Sequence, residues 1–363
     1  MAPMSDGRLL LLGIEGAEVS PDEASRIRTL QPAGFVLFSR NLVSPHQTRK
    51  LTDDLRGLCD EVPIIAIDEE GGRVARTRVF APPPPSPPAL VAHLASGDRQ
   101  NTIARSACAT ADLLLMLGVN LDFAPVLDLD HHPGVSNALR GRCWGRDPQR
   151  VIDHAGTWNR WLRKRGIAGC GKHFPAGGRA TSDPHHDLPS CDAGIEDLLA
   201  EDVLPYTALM SELDAVMLGH VRFPNIDPVF PASLSPRIIR RFLRDQLGFD
   251  DHVILTDDLD MGAITRLYAR GQDARLAIEA GNDLAMICHH AGSAPEAAMA
   301  IAELPLWLRD EACERIDRLR RKFPEPPPWN ESRFQSHADA VAAIAAEVPE
   351  TGETDGCSPV AGY

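Results

Sequence analysis

The sequence predicts an α/β fold, a single (β/α)8 TIM-type barrel. Two observations carry this. Eight short apolar runs are each followed by a segment with helical signals, as such a barrel requires. No GxGxxG follows any of the runs, which weakens the rival doubly wound open sheet.

The runs are 9–14, 34–38, 63–68, 119–129, 167–174, 215–221, 252–257 and 283–288. They are continuous rather than alternating, which suits strands buried on both faces. Ser20-Pro21-Asp22-Glu23 reads as an N-cap, a proline at the first helical position and a capping glutamate. Ser44-Pro45 opens the next helix in the same way. Helices are then expected at 103–117, 151–165, 194–213, 235–247, 263–280 and 294–302. Two more, 307–322 and 332–346, follow the eighth unit, separated by the stiff stretch Pro324-Glu325-Pro326-Pro327-Pro328. The expected organisation is a catalytic barrel over 1–303, C-terminal helices packed on it over 304–348, and a disordered polar tail over 349–363. The proline cluster at 82–88 is expected in the loop after the third strand, outside the core.

Composition narrows the function. Lys and Arg number 37 against 51 Asp and Glu, a formal charge of -14. Such a chain repels phosphate, so neither nucleic acid nor an anionic membrane is an expected partner. No apolar run approaches the roughly 18–20 residues of a membrane span. The short apolar run near the N-terminus lacks the features of a signal peptide, which points to the cytoplasm. The eight Cys are scattered without a CxxC pair, so reduced, largely buried thiols are expected rather than a disulfide framework or a zinc ribbon.

In this barrel the chemistry sits at the C-terminal ends of the strands. There the sequence places Asp68-Glu69-Glu70, Asp122 and Asp128, Lys172-His173, His220, Asp257-Asp258, and a run from Asp283 to His289-His290. A single Asp at such a place is as readily a helix cap. A ring of Lys, His and Asp on one face is not. Metal-assisted hydrolysis fits poorly, because no HExxH or HxH occurs and adjacent His side chains in extended chain point apart. No metal and no organic cofactor is expected. Glycosidic cleavage fits better: it needs an ionised carboxylate at the anomeric carbon and a proton donor at the leaving oxygen. Asp257 suits the first role. Asp183-Pro184-His185 could supply the second, although on spacing alone a polar turn is the favoured reading.

Six separate motifs then occur in one order: IDEEGGRVAR (67–76), GVNLDFAPVLDL (118–129), GRCWGRDP (141–148), GKHFP (171–175) with DPHHDLP (183–189), MLGHVRFPNIDPVFPASLSP (217–236) and LGFDDHVILTDDLDMGAI (247–264). With these the chain resembles the bacterial β-N-acetylhexosaminidases of glycoside hydrolase family 3, the single-domain type of peptidoglycan recycling. The resemblance runs from about residue 10 to residue 290.

It implies a retaining hydrolase that removes terminal non-reducing β-linked N-acetylglucosamine through a covalent glycosyl-enzyme intermediate. Asp257 matches the nucleophile, His185 the acid/base and Asp183 the carboxylate that orients it. Asp68, Arg76, Arg142, Lys172 and His173 match sugar-binding positions, and Asp128 and His220 supporting ones. The implied substrates are N-acetylglucosaminides and muropeptides, and the implied enzyme is a cytoplasmic monomer. Phosphorolysis by the same site and a non-catalytic sugar-binding relative are the alternatives. The chain departs from the family pattern in three places. Gly177 stands where a His is usual and Pro184 where a Ser is usual. Cys143-Trp144 replaces Ser-Phe beside Arg142, which is expected to reshape the pocket.

Overall fold

The computed structural model describes residues 6–97, 101–133, 137–180 and 188–350. Among the described residues there are ten strands: β1 (Leu10–Gly13), β2 (Gly34–Leu37), β3 (Ile64–Ile67), β4 (Glu69–Gly71), β5 (Val74–Ala75), β6 (Leu121–Asp122), β7 (Ala168–Phe174), β8 (Ala215–Leu218), β9 (Val253–Thr256) and β10 (Ala285–Ile287). Eight of them form one parallel sheet in the order β10-β1-β2-β3-β6-β7-β8-β9. A parallel bridge between Leu255 and Leu284 brings β9 to β10. The sheet is thereby rolled into a barrel with helices around it, as the eight apolar runs imply. Every residue of β1, β2, β3, β8 and β9 is buried, which accounts for their continuous rather than alternating apolar character.

The helix signals near the N-terminus are realised. Ser20 Oγ accepts from the Glu23 amide while the Glu23 side chain accepts from the Ser20 amide, capping the helix Pro21–Leu30. Such a cap is worth about 1 kcal/mol. Ser44 Oγ accepts the Gln47 amide and caps Pro45–Arg56.

Three expectations need correction. The helix expected at 194–213 is broken into Ile195–Ala200, Leu204–Leu209 and a 3-10 turn Met210–Glu212. Pro205, which has no amide hydrogen, fits only in the first turn of a new helix. The helix expected at 263–280 is likewise two, Gly262–Thr265 and Gln272–Ala280, divided at Gly271, whose φ of 87° no helix accepts. The strand expected at 119–129 keeps only Leu121–Asp122 in the ladder, with Val126 making one isolated bridge to Lys172.

The proline cluster is also not peripheral. Pro84, Pro85 and Pro87 are buried. The Pro84 carbonyl accepts the Gly72 amide at 2.8 Å. Ser86 caps the helix Pro87–Ala95. The β4–β5 hairpin packs against this segment so closely that a Cβ on Gly71 would lie 2.4 Å from the Pro85 carbonyl oxygen.

After the eighth unit the helix Leu306–Arg320 buries Leu308, Ala312, Ile316 and Leu319, and Glu331–Glu347 buries Phe334, Ala338, Val341 and Ile344. Both join the same apolar core as the barrel. The expected tail lies almost wholly in 351–363, outside the described residues. Among the described residues no helix is long and apolar enough to cross a membrane.

Candidate active site

One deep pocket opens beyond the C-terminal ends of the strands, with about 1070 Å³ of empty space counted out to its mouth. Asp68, Arg76, Arg142, Lys172, His173, His220 and Asp257 all line it. Seven residues picked from separate motifs are thus brought together. Asp128 stands behind the wall. Asp183 and His185 lie outside the described residues.

The pocket is organised by a buried charge cluster. Lys172 leaves β7 and is 1% exposed. Its Nζ lies 2.7 Å from Asp68 Oδ1 and 2.6 Å from Glu70 Oε1. Arg76 donates to Asp68 Oδ2 at 2.8 Å. Arg142 grips Glu70 with two bonds, 2.8 and 2.6 Å. Burial alone would raise both acids. Lys172 and Arg76 outweigh it at Asp68 and hold its carboxyl well below the usual carboxylate range. At Glu70, Arg142 and Lys172 bring it down to about 2. The same contacts overcome burial at Lys172 and raise it. All members are therefore charged at neutral pH. They present fixed donors and acceptors to a polyhydroxylated ligand, the setting in which buried hydrogen bonds discriminate best.

Asp128 holds the next residue. One of its oxygens accepts the His173 amide at 3.0 Å and His173 Nδ1 at 2.7 Å, and the other accepts the Gly178 amide at 3.0 Å. A carboxylate only accepts, so the imidazole proton sits on Nδ1. Gly177 packs against this carboxylate: a Cβ there would stand 3.0 Å from Asp128 Oδ1. Cys143 and Trp144 do not line the pocket. Both are buried, and Trp144 packs on Trp158 with ring centroids 6.1 Å apart.

Asp257 follows the last residue of β9. Its amide donates to Leu218 O at 2.9 Å, which fixes it to the end of β8. One carboxylate oxygen accepts the Asp258 amide at 2.8 Å. Asp258 itself is buried, and burial together with Asp260 pushes it up to about 8. Its Oδ1 accepts the amides of Asp260 and Cys288 at 3.0 and 3.1 Å. His220 is locked below, Nδ1 2.7 Å from Ser233 Oγ and Nε2 2.9 Å from the Asp258 carbonyl oxygen. That carbonyl can only accept, so the His220 proton sits on Nε2. Both aspartates line the cavity but differ by environment: Asp258 accepts two further amides and is raised by burial and by Asp260.

Sequence reasoning assigned no role to Glu70, Phe38, Asp258, Asp260 or His289. Glu70 was signalled by its place in the strand-three end, and Asp258 and His289 by theirs at strand ends. Phe38 carried no polar signal. Asp283 is corrected: it precedes β10, at the opposite end of the barrel, where Arg244 and Arg315 hold it at 2.8 and 3.0 Å. His131, Glu201 and Asp202 bring ligand-type atoms together away from the pocket. Arg179 already supplies the cation there, 2.6 Å from Asp202.

Residues 7–319 match the model of the glycosyl hydrolase family 3 N-terminal domain. The chain is similar to a β-hexosaminidase of Alkalilimnicola ehrlichii, 36% identical over 331 residues that cover 90% of this chain and 87% of that one. Its fold is similar to that of a fungal multi-domain family 3 β-N-acetylglucosaminidase, at a TM-score of 0.86 and 28% identity, covering 94% of this chain but 42% of that longer one. It is also similar to NagZ from Neisseria gonorrhoeae in complex with N-trifluoroacetyl-D-glucosamine, at a TM-score of 0.78 and 27% identity over 95% of this chain and all of the other.

Proposed function

This chain belongs to glycosyl hydrolase family 3 and is a β-hexosaminidase acting on N-acetylglucosaminides, and we propose that it cleaves them with retention through a covalent bond to Asp257. One observation carries the proposal: Asp257 and the Asp68–Lys172–Arg76 cluster line the same pocket. The cluster binds the hydroxyls of the terminal sugar, helped by Arg142 through Glu70 and by His173. Asp257 attacks the anomeric carbon and the glycosidic C–O bond breaks. His185, oriented by Asp183, gives its proton to the departing oxygen. In the second step His185 takes a proton from water, whose oxygen displaces Asp257 and regenerates the carboxylate. The roles of His185 and Asp183 rest on the DPHHDLP motif. A His with an ordinary pKa near 6.5 can both donate and accept a proton close to neutrality.

The reading extends to the setting. The family resemblance supports cell-wall muropeptide fragments as substrates, a cytoplasmic location and a monomer. The charge of -14 supports a partner that is neither nucleic acid nor anionic membrane. Within the chain, we divide the catalytic barrel (1–303) from the C-terminal helices (304–348).

The test is turnover of a chromogenic β-N-acetylglucosaminide beside the matching β-glucoside, with the configuration of the first-formed sugar followed by NMR. The expected result is preference for the N-acetylglucosaminide, the β-anomer appearing first, and a loss of about 10⁴-fold or more in Asp257→Ala. An α-anomer as first product, or full turnover by Asp257→Ala, overturns the nucleophile. His185→Ala should slow substrates with poor leaving groups far more than activated ones. Equal slowing removes His185 from the proton-donor role.

A further inference from the structure

Phe38, Arg40 and His289 meet beside the pocket where the chain leaves β2 and β10, and the mechanism above uses none of them. Arg40 is pinned by two carbonyls, donating from Nε to Ile14 O at 2.9 Å and from one terminal nitrogen to Cys288 O at 2.5 Å. Its other terminal nitrogen lies 3.2 Å from His289 Nδ1. A guanidinium donates and cannot accept. Nδ1 is therefore the acceptor, and the imidazole hydrogen sits on Nε2. The His289 amide is fixed as well, donating to Asp260 Oδ2 at 2.7 Å.

The ring's position follows from its neighbours. Phe38 packs against it at a tilt of 47°, with centroids 5.2 Å apart. Arg76, which holds Asp68, lies over the same Phe38 ring at 5.4 Å. His289 Nε2 is 3.5 Å from Asp258 Oδ2, and Asp258 adjoins the nucleophile. Phe38, Arg76, Asp258 and His289 all line the pocket. The imidazole thus continues the sugar-binding wall from Asp68 and Arg76 round toward Asp257. Among the described residues, the charged and titratable groups around it include Arg40, Arg76, Asp258, Asp260 and His290. Burial and then Arg40 push His289 down to about 4, so its donor is in place throughout the neutral range.

We propose that His289 is a specificity-determining residue whose Nε2–H, aimed by Arg40, donates a hydrogen bond to a ring hydroxyl of the sugar bound against Phe38 and Arg76. This rests on the reading of the pocket as an N-acetylglucosaminide site. Because a site built to meet a hydroxyl penalises its absence, the effect must be tied to one hydroxyl and not spread over the sugar.

The experiment measures kcat/KM for the wild type, His289→Ala, His289→Phe and His289→Asn on a chromogenic β-N-acetylglucosaminide and on its 3-, 4- and 6-deoxy analogues. Calorimetric titration with N-acetylglucosamine and its deoxy forms reads binding independently of turnover. His289→Phe keeps a ring against Phe38 should the Ala variant not fold. The expected result is a loss of about ten- to a hundred-fold on the parent in the Ala and Phe variants. That loss disappears for one deoxy analogue, is partly recovered by Asn, and leaves the pH profile unmoved. Equal losses on every analogue, or no loss, overturn the proposal. A wild type that neither turns over nor binds N-acetylglucosaminides overturns the functional reading itself.

Discussion

Lys172 Nζ meets Asp68 Oδ1 at 2.7 Å across 104 residues of sequence, the lysine buried and the carboxylate partly exposed to the pocket. The ammonium is shared with Glu70. Each acid keeps an arginine of its own, yet both carboxylates depend on Lys172 to offset their burial. Lys172→Met keeps the volume and removes the charge. The expected outcome is a loss of about 3–5 kcal/mol of unfolding free energy, the usual consequence of stranding a buried charge. Turnover of the N-acetylglucosaminide should fall by about 100-fold or more as Asp68 is displaced. Urea denaturation and steady-state kinetics check the two parts. A stable, active Lys172→Met enzyme would show that Arg76 and Arg142 suffice.

Asp128 is expected to act through His173. It receives three N–H donors, two of them from His173. Asp128→Asn keeps the size but turns one acceptor into a donor, which must face an N–H. The expected result is about 1.5–3 kcal/mol of lost stability and a fall in kcat/KM of about 10-fold or more as the ring leaves its position. Thermal unfolding and kinetics on the chromogenic substrate provide the readouts. Unchanged kcat/KM would mean that the orientation of His173 does not matter to the substrate.

Much of this architecture was legible because burial on both faces forces unbroken apolar runs, as in Leu10–Gly13 and Val253–Thr256. Polar residues at the ends of such runs have few reasons to be there except chemistry, and Asp68, Lys172, His220 and Asp257 do line one pocket. Where a strand's ladder is short, the signal misled: Leu121–Asp122 sits in a longer buried apolar stretch whose remaining links to β3 and β7 are isolated hydrogen bonds and one bridge. The Gly71-Gly72 pair between Glu69 and Val74 was a readable hairpin signal. That its packing would bury Pro84 and Pro85 was not, since it depends on how closely two distant backbones approach. His289 escaped for a similar reason. Its tautomer is set by Arg40, 249 residues away.

The last prediction concerns Glu69, a buried acid between two charged ones. Its carboxyl is held by two amides and a hydroxyl, with a smaller contribution from the Arg76 charge. It accepts the Arg76 and Thr77 amides at 2.8 and 3.1 Å, and its other oxygen lies 2.6 Å from Thr77 Oγ1. Burial pushes it up to about 7, the bonds from Thr77 and Arg76 offsetting only part of that. A group raised on folding binds its proton more tightly in the native state. Its contribution is complete below the unfolded value, near 4.5, and is lost as pH rises through about 7. Glu69→Gln mimics the protonated acid, its amide donating to Thr77 Oγ1. The variant should match the wild type within about 0.5 kcal/mol near pH 4. Above pH 8 it should be more stable by roughly 3 kcal/mol, the free-energy equivalent of that change in pKa. Asp68 and Glu70, held low, impose the opposite slope only in stronger acid, so the two effects separate. Urea denaturation of both proteins from pH 4 to 9 gives the difference directly. Parallel stability curves would show that Glu69 is ionised throughout.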